Sequence, residues 1–449
     1  MRAPTVRYKP TARATEQTRR AMELHRAGKL EEARTLYGQV LKQAPRHADA
    51  WHFHGLLRHQ TGDTEGAIRD VRQALRYAPD YPDAIANLAI LHLEQGDFEQ
   101  CSSCLTRVLE LTPQALPPRV TLARLYRAHG RLAEAESLLV EALERDLSAA
   151  DPEIRSALHA SLGETLLHLN RHEEALTHYL RAIEIFPGAI GLQSALGQAL
   201  ARMGRFDEAA ERYRAILQRE PDNVRARHML AACRGASTPD RADEAYVRTV
   251  FDDFSSSFDQ KLANLGYRAP ELLQRALQER LGSACHDLEL LDAGCGTGLY
   301  GERVKPYCTR LVGVDLSPGM LAIAARRGLY DDLHESELAS WLGAHPGAFD
   351  VVASADTLCY FGALEAPIRA ALSALRPGGW LFFSVEHHRE PDSTFLLQHH
   401  GRYAHAEPYV QRELEQAGFE SIRIDHDTLR SEAGSPVSGL IVSARRPHS

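Results

Sequence analysis

Over residues 14–223, apolar positions recur every three or four residues in blocks of about a dozen, and polar turns separate the blocks. The blocks come in pairs, and the pair repeats. Gly28, Gly62, Gly96 and Gly130 stand 34 residues apart. Ala33, Ala67, Cys101 and Ala135 follow each of them five residues later. Pro45, Pro79 and Pro113 close the units, with Leu147 in the fourth place. The phase slips by six residues around Asp151 and Pro152, and two more units follow. These have Asn170 and Gly204 at the turn, Ala175 and Ala209 after it, and Pro187 and Pro221 at the end. The pattern predicts two amphipathic helices per unit. Gly or Asn ends the first helix, where a left-handed residue is wanted, and proline stops the second. The slip predicts a longer loop or an extended helix end, and residues 224–234 read as one further helix.

Past residue 285 the pattern changes to short apolar runs that alternate with helical stretches. Residues 288–292, 311–315, 349–356 and 380–386 read as buried strands, and a third strand is expected within 330–341. Two more are expected at 421–425 and 440–443. Strands alternating with helices predict a largely parallel sheet with helices on both faces.

A period of 34 with paired helices resembles the tetratricopeptide repeat, and six copies cover residues 14–223. The first helix of each unit carries a small residue: Ala21, Gly55, Ala89, Ala123, Gly163 and Gly197. Small residues there let the two helices approach closely. Trp51, Tyr37, Tyr179 and Tyr213 are expected to fill the space between units. Stacked repeats need a polar cap, which the helix at 224–234 supplies. Such solenoids usually bind a protein or peptide in a concave groove. By spacing, His52, Leu56, His59, Asn87, Arg124 and Arg127 face that groove, or are merely solvated. No dense basic set marks a carboxylate-gripping groove.

The chemistry is concentrated in Asp292-Ala293-Gly294-Cys295-Gly296-Thr297-Gly298, directly after the first strand. Glycines are needed where backbone turns with positive φ or meets a ligand too closely for a Cβ. A dinucleotide fingerprint would need glycine where Leu299 stands, and it has no carboxylate before its first glycine. An acid at Asp292 would repel a pyrophosphate. It suits S-adenosylmethionine (SAM), which carries an ammonium and a sulfonium. The second strand ends in Asp315, where such folds place the acid that takes the ribose hydroxyls. Together these motifs resemble the class I SAM-dependent methyltransferases. The resemblance implies a doubly wound, mixed seven-strand domain with SAM as cofactor. It assigns cofactor binding to Asp292, Gly294, Cys295, Gly296, Gly298, Asp315 and Leu316. It adds Glu337, with Glu335 as rival, for the adenine amino group, and Ala355 and Asp356 at the end of strand four. The turn at 376–379 is frequent in this class and supports the fold.

Residues 243–282 read as helices carrying Tyr246, Phe251, Phe254 and Phe258. The segment resembles the start of methyltransferases that bear tetratricopeptide repeats and of ubiquinone-biosynthesis-type enzymes. In the wider class these helices form a lid over the SAM pocket; an aromatic stripe at this spacing equally fits plain core. Candidates for contact with the methyl acceptor follow strand five: Glu386, His387, His388, then Arg402, Tyr403 and His405. His405 is the expected base, since a neutral imidazole works near pH 7. Arg402 could hold a carboxylate or phosphate, and Tyr403 lies between them. A structural role for His405 is the alternative. The adjacent pairs at 387–388 and 399–400 point to opposite faces of a strand and make no ready chelate, so no metal is expected.

Composition narrows the classes. At 449 residues two or three domains are expected. Residues 1–13 read as a disordered arm, 224–242 as cap and linker, and 243–449 as the transferase domain. No apolar run reaches the roughly 20 residues of a membrane helix, and residues 1–20 are basic and polar, unlike a signal peptide; a cytoplasmic location is the expectation. Seven cysteines argue against a disulfide framework. Cys101 and Cys104 form a lone C-x-x-C inside a helical repeat, and Cys295 reads as a small filler rather than a nucleophile. Residues 1–235 hold 32 Lys+Arg against 30 Asp+Glu and the rest 20 against 30, so the half with the active site is acidic. That disfavours a nucleic-acid substrate. The expected protein is a SAM-dependent methyltransferase whose repeats bind a protein partner or substrate. The alternatives are a small-molecule transferase with the repeats as an assembly module, or a SAM-binding scaffold without turnover.

Overall fold

The computed structural model describes residues 10–145, 147–234, 238–255, 258–284, 286–390, 393–432 and 435–448. Most of the expected N-terminal arm, and part of the linker after residue 234, lie outside them. Helices pair as the period demands: α1 (Ala12–Arg26) with α2 (Leu30–Gln43), α3 (Ala48–Gln60) with α4 (Thr64–Tyr77), and α5 (Pro82–Glu94) with α6 (Phe98–Leu111). Then come α7 (Leu116–Ala128) with α8 (Leu132–Leu143), α9 (Pro152–His168) with α10 (His172–Ile185), and α11 (Ile190–Arg202) with α12 (Phe206–Arg219). The six-residue slip is absorbed between α8 and a 17-residue α9, the longest helix of the array. At the turns Gly28, Gly62, Gly96, Gly130, Asn170 and Gly204 all have φ between 60° and 86°. The repeat therefore places Gly or Asn where the backbone is left-handed.

The small residues of the first helices mark close approach. A Cβ on Gly55 would lie 2.9 Å from Val71 Cγ2, and one on Gly163 would lie 3.2 Å from the Tyr179 ring. Tyr179 and Tyr213 each pack one side of the ring against the glycine of their own unit, where removal of the Cβ makes room. Several groove candidates tie successive repeats together. His52 meets Asn87 at 2.7 Å, His59 meets Glu94 at 2.6 Å, and Arg127 meets Glu164 at 2.6 Å.

The chain divides into two compact units, Met1–Leu192 and Gln193–Ser449, and the division falls inside α11. The second unit holds α12, α13 (Val224–Arg234), three further helices α14 (Glu244–Phe254), α15 (Phe258–Asn264) and α16 (Ala269–Leu281), and then the sheet. α13 belongs there because Ala232 packs with Ala242, Tyr246 and Tyr403, and His228 stacks on Tyr246 at 3.9 Å.

The strands are β1 (Leu288–Ala293), β2 (Cys308–Asp315), β3 (Asp332–Glu335), β4 (Phe349–Ser354), β5 (Leu375–His387), β6 (Phe395–Leu397), β7 (Tyr403–His405), β8 (Glu420–Glu432) and β9 (Ser435–Arg445). The order is β3-β2-β1-β4-β5-β7-β6, with β9 antiparallel to β5 and β8 antiparallel to β9. The described residues thus form nine strands, not seven. The two additions, β6 and β7, are only three residues long and form where 403–405 pairs with the end of β5 and with 395–397. Alternate residues feed two cores: Leu291, Val352 and Phe383 on one face, Leu290, Val351 and Phe382 on the other. Among the described residues no helix is long and apolar enough to cross a membrane.

Candidate functional site

β1 and β2 end side by side, and the loop after β1 folds over β2. The amides of Gly294 and Cys295 both donate to Val314 O, at 2.8 and 3.0 Å. This requires φ of +81° at Gly294, where a Cβ would also strike Thr357 Oγ1 at 2.1 Å. Gly296 (φ +53°) has open space where its Cβ would be. The loop leads into α17 (Leu299–Val304), whose N-cap is Gly298 with φ +92°. Asp315 fixes the same turn: Oδ2 accepts from Gly296 N and Oδ1 from Ser317 N, both at 2.9 Å. Asp315 thus shapes the loop and also faces the cavity.

That cavity lies at the carboxyl ends of β1, β2 and β4, where open α/β sheets bind ligands. Asp292, Gly294, Cys295, Gly296, Asp315, Leu316, Glu337, Ala355 and Asp356 all line it. Gly298 does not, since it turns the chain one step behind, against Arg327 and Tyr330. Asp292 is fully buried; its Oδ2 accepts from Tyr330 Oη at 2.6 Å and its Oδ1 has no partner. Burial pushes its carboxyl up to about 7, with the Tyr330 hydrogen bond opposing. Glu337 caps α19 (Leu338–Gly343) by accepting from Ala339 N and Ser340 N. The rival Glu335 is exposed and pairs with Arg248 at 2.7 Å.

α14 to α16 cover the cavity. Phe251 and Phe258 line it, whereas Tyr246 packs with α13 and Phe254 is exposed with Lys261 over its ring. The aromatic stripe is therefore part lid and part core. Carboxylates that sequence reasoning did not single out fasten the lid. Asp252 Oδ1 accepts from Ser317 Oγ at 2.5 Å and Gly319 N at 3.2 Å. Asp259 accepts from Thr297 Oγ1 at 2.5 Å and pairs with Arg327. Both stand in the segment read as lid helices, so the aromatic pattern around them was the available signal.

The far end of the cavity departs from expectation. His405 and Tyr403 are fully buried on β7 and do not line the cavity. His405 Nε2 meets Phe361 O at 2.9 Å and Gly362 O at 3.1 Å, and burial brings its imidazole down to about 4. Tyr403 Oη donates to Pro239 O at 2.9 Å. Their rings hold loops together, and the expected base does not face the cavity. Arg402 does line the cavity, but its guanidinium is occupied: Nε donates to Glu386 at 2.6 Å and Nη2 to Glu432. A substrate carboxylate would meet a guanidinium already neutralised by two carboxylates. Arg430, which no sequence signal marked, is the centre of this cluster. Its Nη1 meets Asp356 at 2.7 Å, its Nε meets Glu432 at 2.6 Å, and its Nη2 meets Glu386. Burial raises the Glu386 carboxyl, but Arg402, His400 and Arg430 outweigh it and hold it down at about 2.

Residues 291–383 match the family profile of a methyltransferase domain. Two profiles of the tetratricopeptide repeat match 18–82 with 120–190 and 58–117 with 166–233. The chain joins tetratricopeptide repeats to a methyltransferase domain. That domain is similar to methyltransferase-like protein 27 of Homo sapiens, 35% identical over 158 residues, covering 35% of this chain and 61% of that one. It is also similar to the ubiquinone biosynthesis O-methyltransferase of Thiobacillus denitrificans (34% over 102 residues; 22% and 44%). A third relative is the malonyl-[acyl-carrier protein] O-methyltransferase of Serratia marcescens (30% over 157 residues; 33% and 56%). The chain spans about half the length of these relatives. Among solved structures, a 1,6-didemethyltoxoflavin-N1-methyltransferase of Burkholderia thailandensis is 22% identical with TM-score 0.37, covering 47% of this chain and 94% of that one. The residues of the methyltransferase domain fit SAM, its cofactor. An unpartnered buried carboxylate oxygen, a glycine with open space before it and an acid at the end of β2 converge on one cavity.

Proposed function

We propose that the chain is a SAM-dependent methyltransferase whose repeat array binds a protein partner or protein substrate. The observation that carries this reading is the convergence of Asp292, Gly296, Asp315 and Glu337 on one covered cavity. In this reading Asp315 takes the ribose hydroxyls, Asp292 faces the positive charge of the methionyl end, and Glu337 lies toward the adenine. Bound SAM supplies a methyl group on a sulfonium, already a good leaving group. The protein's task is to hold an acceptor in line with it and exclude water. Phe251 and Phe258 of the lid and the fastening by Asp252 and Asp259 serve the exclusion of water. The working modules are the repeats at 14–223, the cap and linker at 224–242 and the transferase at 243–449.

A second reading, a small-molecule acceptor with the repeats as an assembly module, is favoured by the cover of α14 to α16 over the cavity and by relatives named for small-molecule biosynthesis. Both readings are tested by adding purified full-length protein and methyl-tritiated SAM to a cell extract. Label in a discrete protein band supports recruitment by the repeats; label confined to the small-molecule fraction supports the second reading. SAM binding without label anywhere would leave only a scaffold.

A further inference from the structure

The acceptor end of the cavity is walled by charge. Asp356 stands just past β4 with φ +56°, a left-handed position rarely held by a residue with a side chain. It is joined there by Arg402, Arg430 and Glu432, all lining the cavity, and backed by Glu386 and His400. Arg430 is 3% exposed at its side chain and Glu386 4%, so their pairing takes place away from water. His400 Nε2 lies 3.4 Å from Glu386, and burial brings its imidazole down to about 4, so it is neutral at pH 7. Three carboxylates therefore face two guanidinium groups. The third arginine of the cavity, Arg241, is also paired, with Glu244 at 2.8 Å and Glu337 at 3.2 Å. Around the whole described lining, three arginines face six carboxylates, with no lysine or histidine.

An anionic acceptor would meet no unpaired cation. It would add a fourth negative charge to three carboxylates that share two guanidinium groups away from water, which is unfavourable. An uncharged or positively charged group meets carboxylate acceptors and the aromatic rings of Tyr267, Tyr300 and Tyr360, which also line the cavity. We propose that the reacting end of the methyl acceptor is a hydroxyl or an amine and not a carboxylate, and that the Asp356–Arg430–Glu432–Arg402 cluster enforces the choice. The inference rests on the transferase reading and narrows its substrate class. In the transfer, the acceptor's oxygen or nitrogen forms a bond to the methyl carbon as the carbon–sulfur bond breaks. The electron pair stays on sulfur, leaving a thioether, and the acceptor's proton passes to Asp356.

The test uses the full-length protein with methyl-tritiated SAM in a cell extract, followed by brief mild alkali. Methyl esters release volatile methanol under alkali, whereas methyl ethers and methylamines do not. Like-charge juxtaposition disfavours carboxyl transfer at least about tenfold, so under about a tenth of the label should be volatile. Most of the label leaving as methanol would overturn the inference and keep the transferase. Absence of any label, with SAM still bound, would overturn the transferase reading and the inference with it. Glu432→Gln removes a partner of Arg402 and Arg430 and should raise the alkali-labile share; in a folded variant, checked by its thermal transition, an unchanged share would count against the cluster as the selector.

Discussion

The two ends of the cavity are built in different ways. At the proposed cofactor end, the loop after β1 and the end of β2 lie within 28 residues of sequence, 292–319, and much of the geometry is backbone: positive φ at Gly294, Gly296 and Gly298, and amides bonded to Val314 and Asp315. At the proposed acceptor end, the parts come from four separate segments, around 356, 386, 400–402 and 430–432, and side-chain ion pairs hold them. The first design fixes what is bound through chain geometry. The second depends on partners that exist only once the sheet has formed, so a single truncation leaves buried charge unmatched.

This contrast can be broken or sharpened by measurement. The largest effect is expected for Arg430→Met. It strands Asp356 and leaves Glu386 and Glu432 to share Arg402, and should cost about 3–5 kcal/mol of stability. A thermal transition unchanged from the parent protein would show that the cluster is not held by its arginines. Asp315→Ala comes next. It removes a carboxylate that braces two loop amides and faces the cavity, and should weaken SAM binding by about 2–3 kcal/mol, roughly 30- to 150-fold, with little change at the far end. Calorimetry giving parental affinity would remove Asp315 from the cofactor site.

A smaller effect is expected from pH. The Asp292 carboxyl is raised to about 7, so below that it is protonated and must release its proton to meet a cationic ligand. SAM affinity should therefore rise as pH increases through about 7, by up to about tenfold per unit below it. A flat affinity between about pH 6 and 8, with no proton released in buffers of different ionisation enthalpy, would mean that Asp292 does not face the charge. Glu386 works in the opposite range. Its folded carboxyl lies at about 2, below the ordinary 4.5, so its stabilisation is present above about 4.5 and is lost as pH falls toward 2. The smallest effect belongs to the repeats. Gly62→Ala, at φ +86°, should cost about 1 kcal/mol without altering SAM affinity. A change in SAM binding would join the repeats to the cofactor end.

The repeats and the glycine loop with Asp315 were legible in the chain because their determinants are local. Glycines every 34 residues mark turns within single units, and Asp292, the glycine loop and Asp315 sit at short fixed spacing. Lid and core could not be separated within the stripe of Tyr246, Phe251, Phe254 and Phe258. Their burial depends on α13 and on the ends of β1 and β2, which no helical period encodes. His405 looked like a base because it is an ionisable residue in a polar run beyond strand five. Pairing of β7 with β5 instead turns it onto the carbonyls of Phe361 and Gly362.

What the sequence determined by itself is the repeat array, the methyltransferase sheet through its first four strands and the glycine loop and Asp315 that meet at one cavity, since each rests on chain geometry over short separations. What only the tertiary structure decided is the charged wall around Arg430. Arg430 lies 74 residues from Asp356 and 44 from Glu386, and it acquires a role only when β5 and β8 are brought together through β9. Charge pairing in a buried site is set by distance in space and by the loss of water, and neither is written in spacing along the chain.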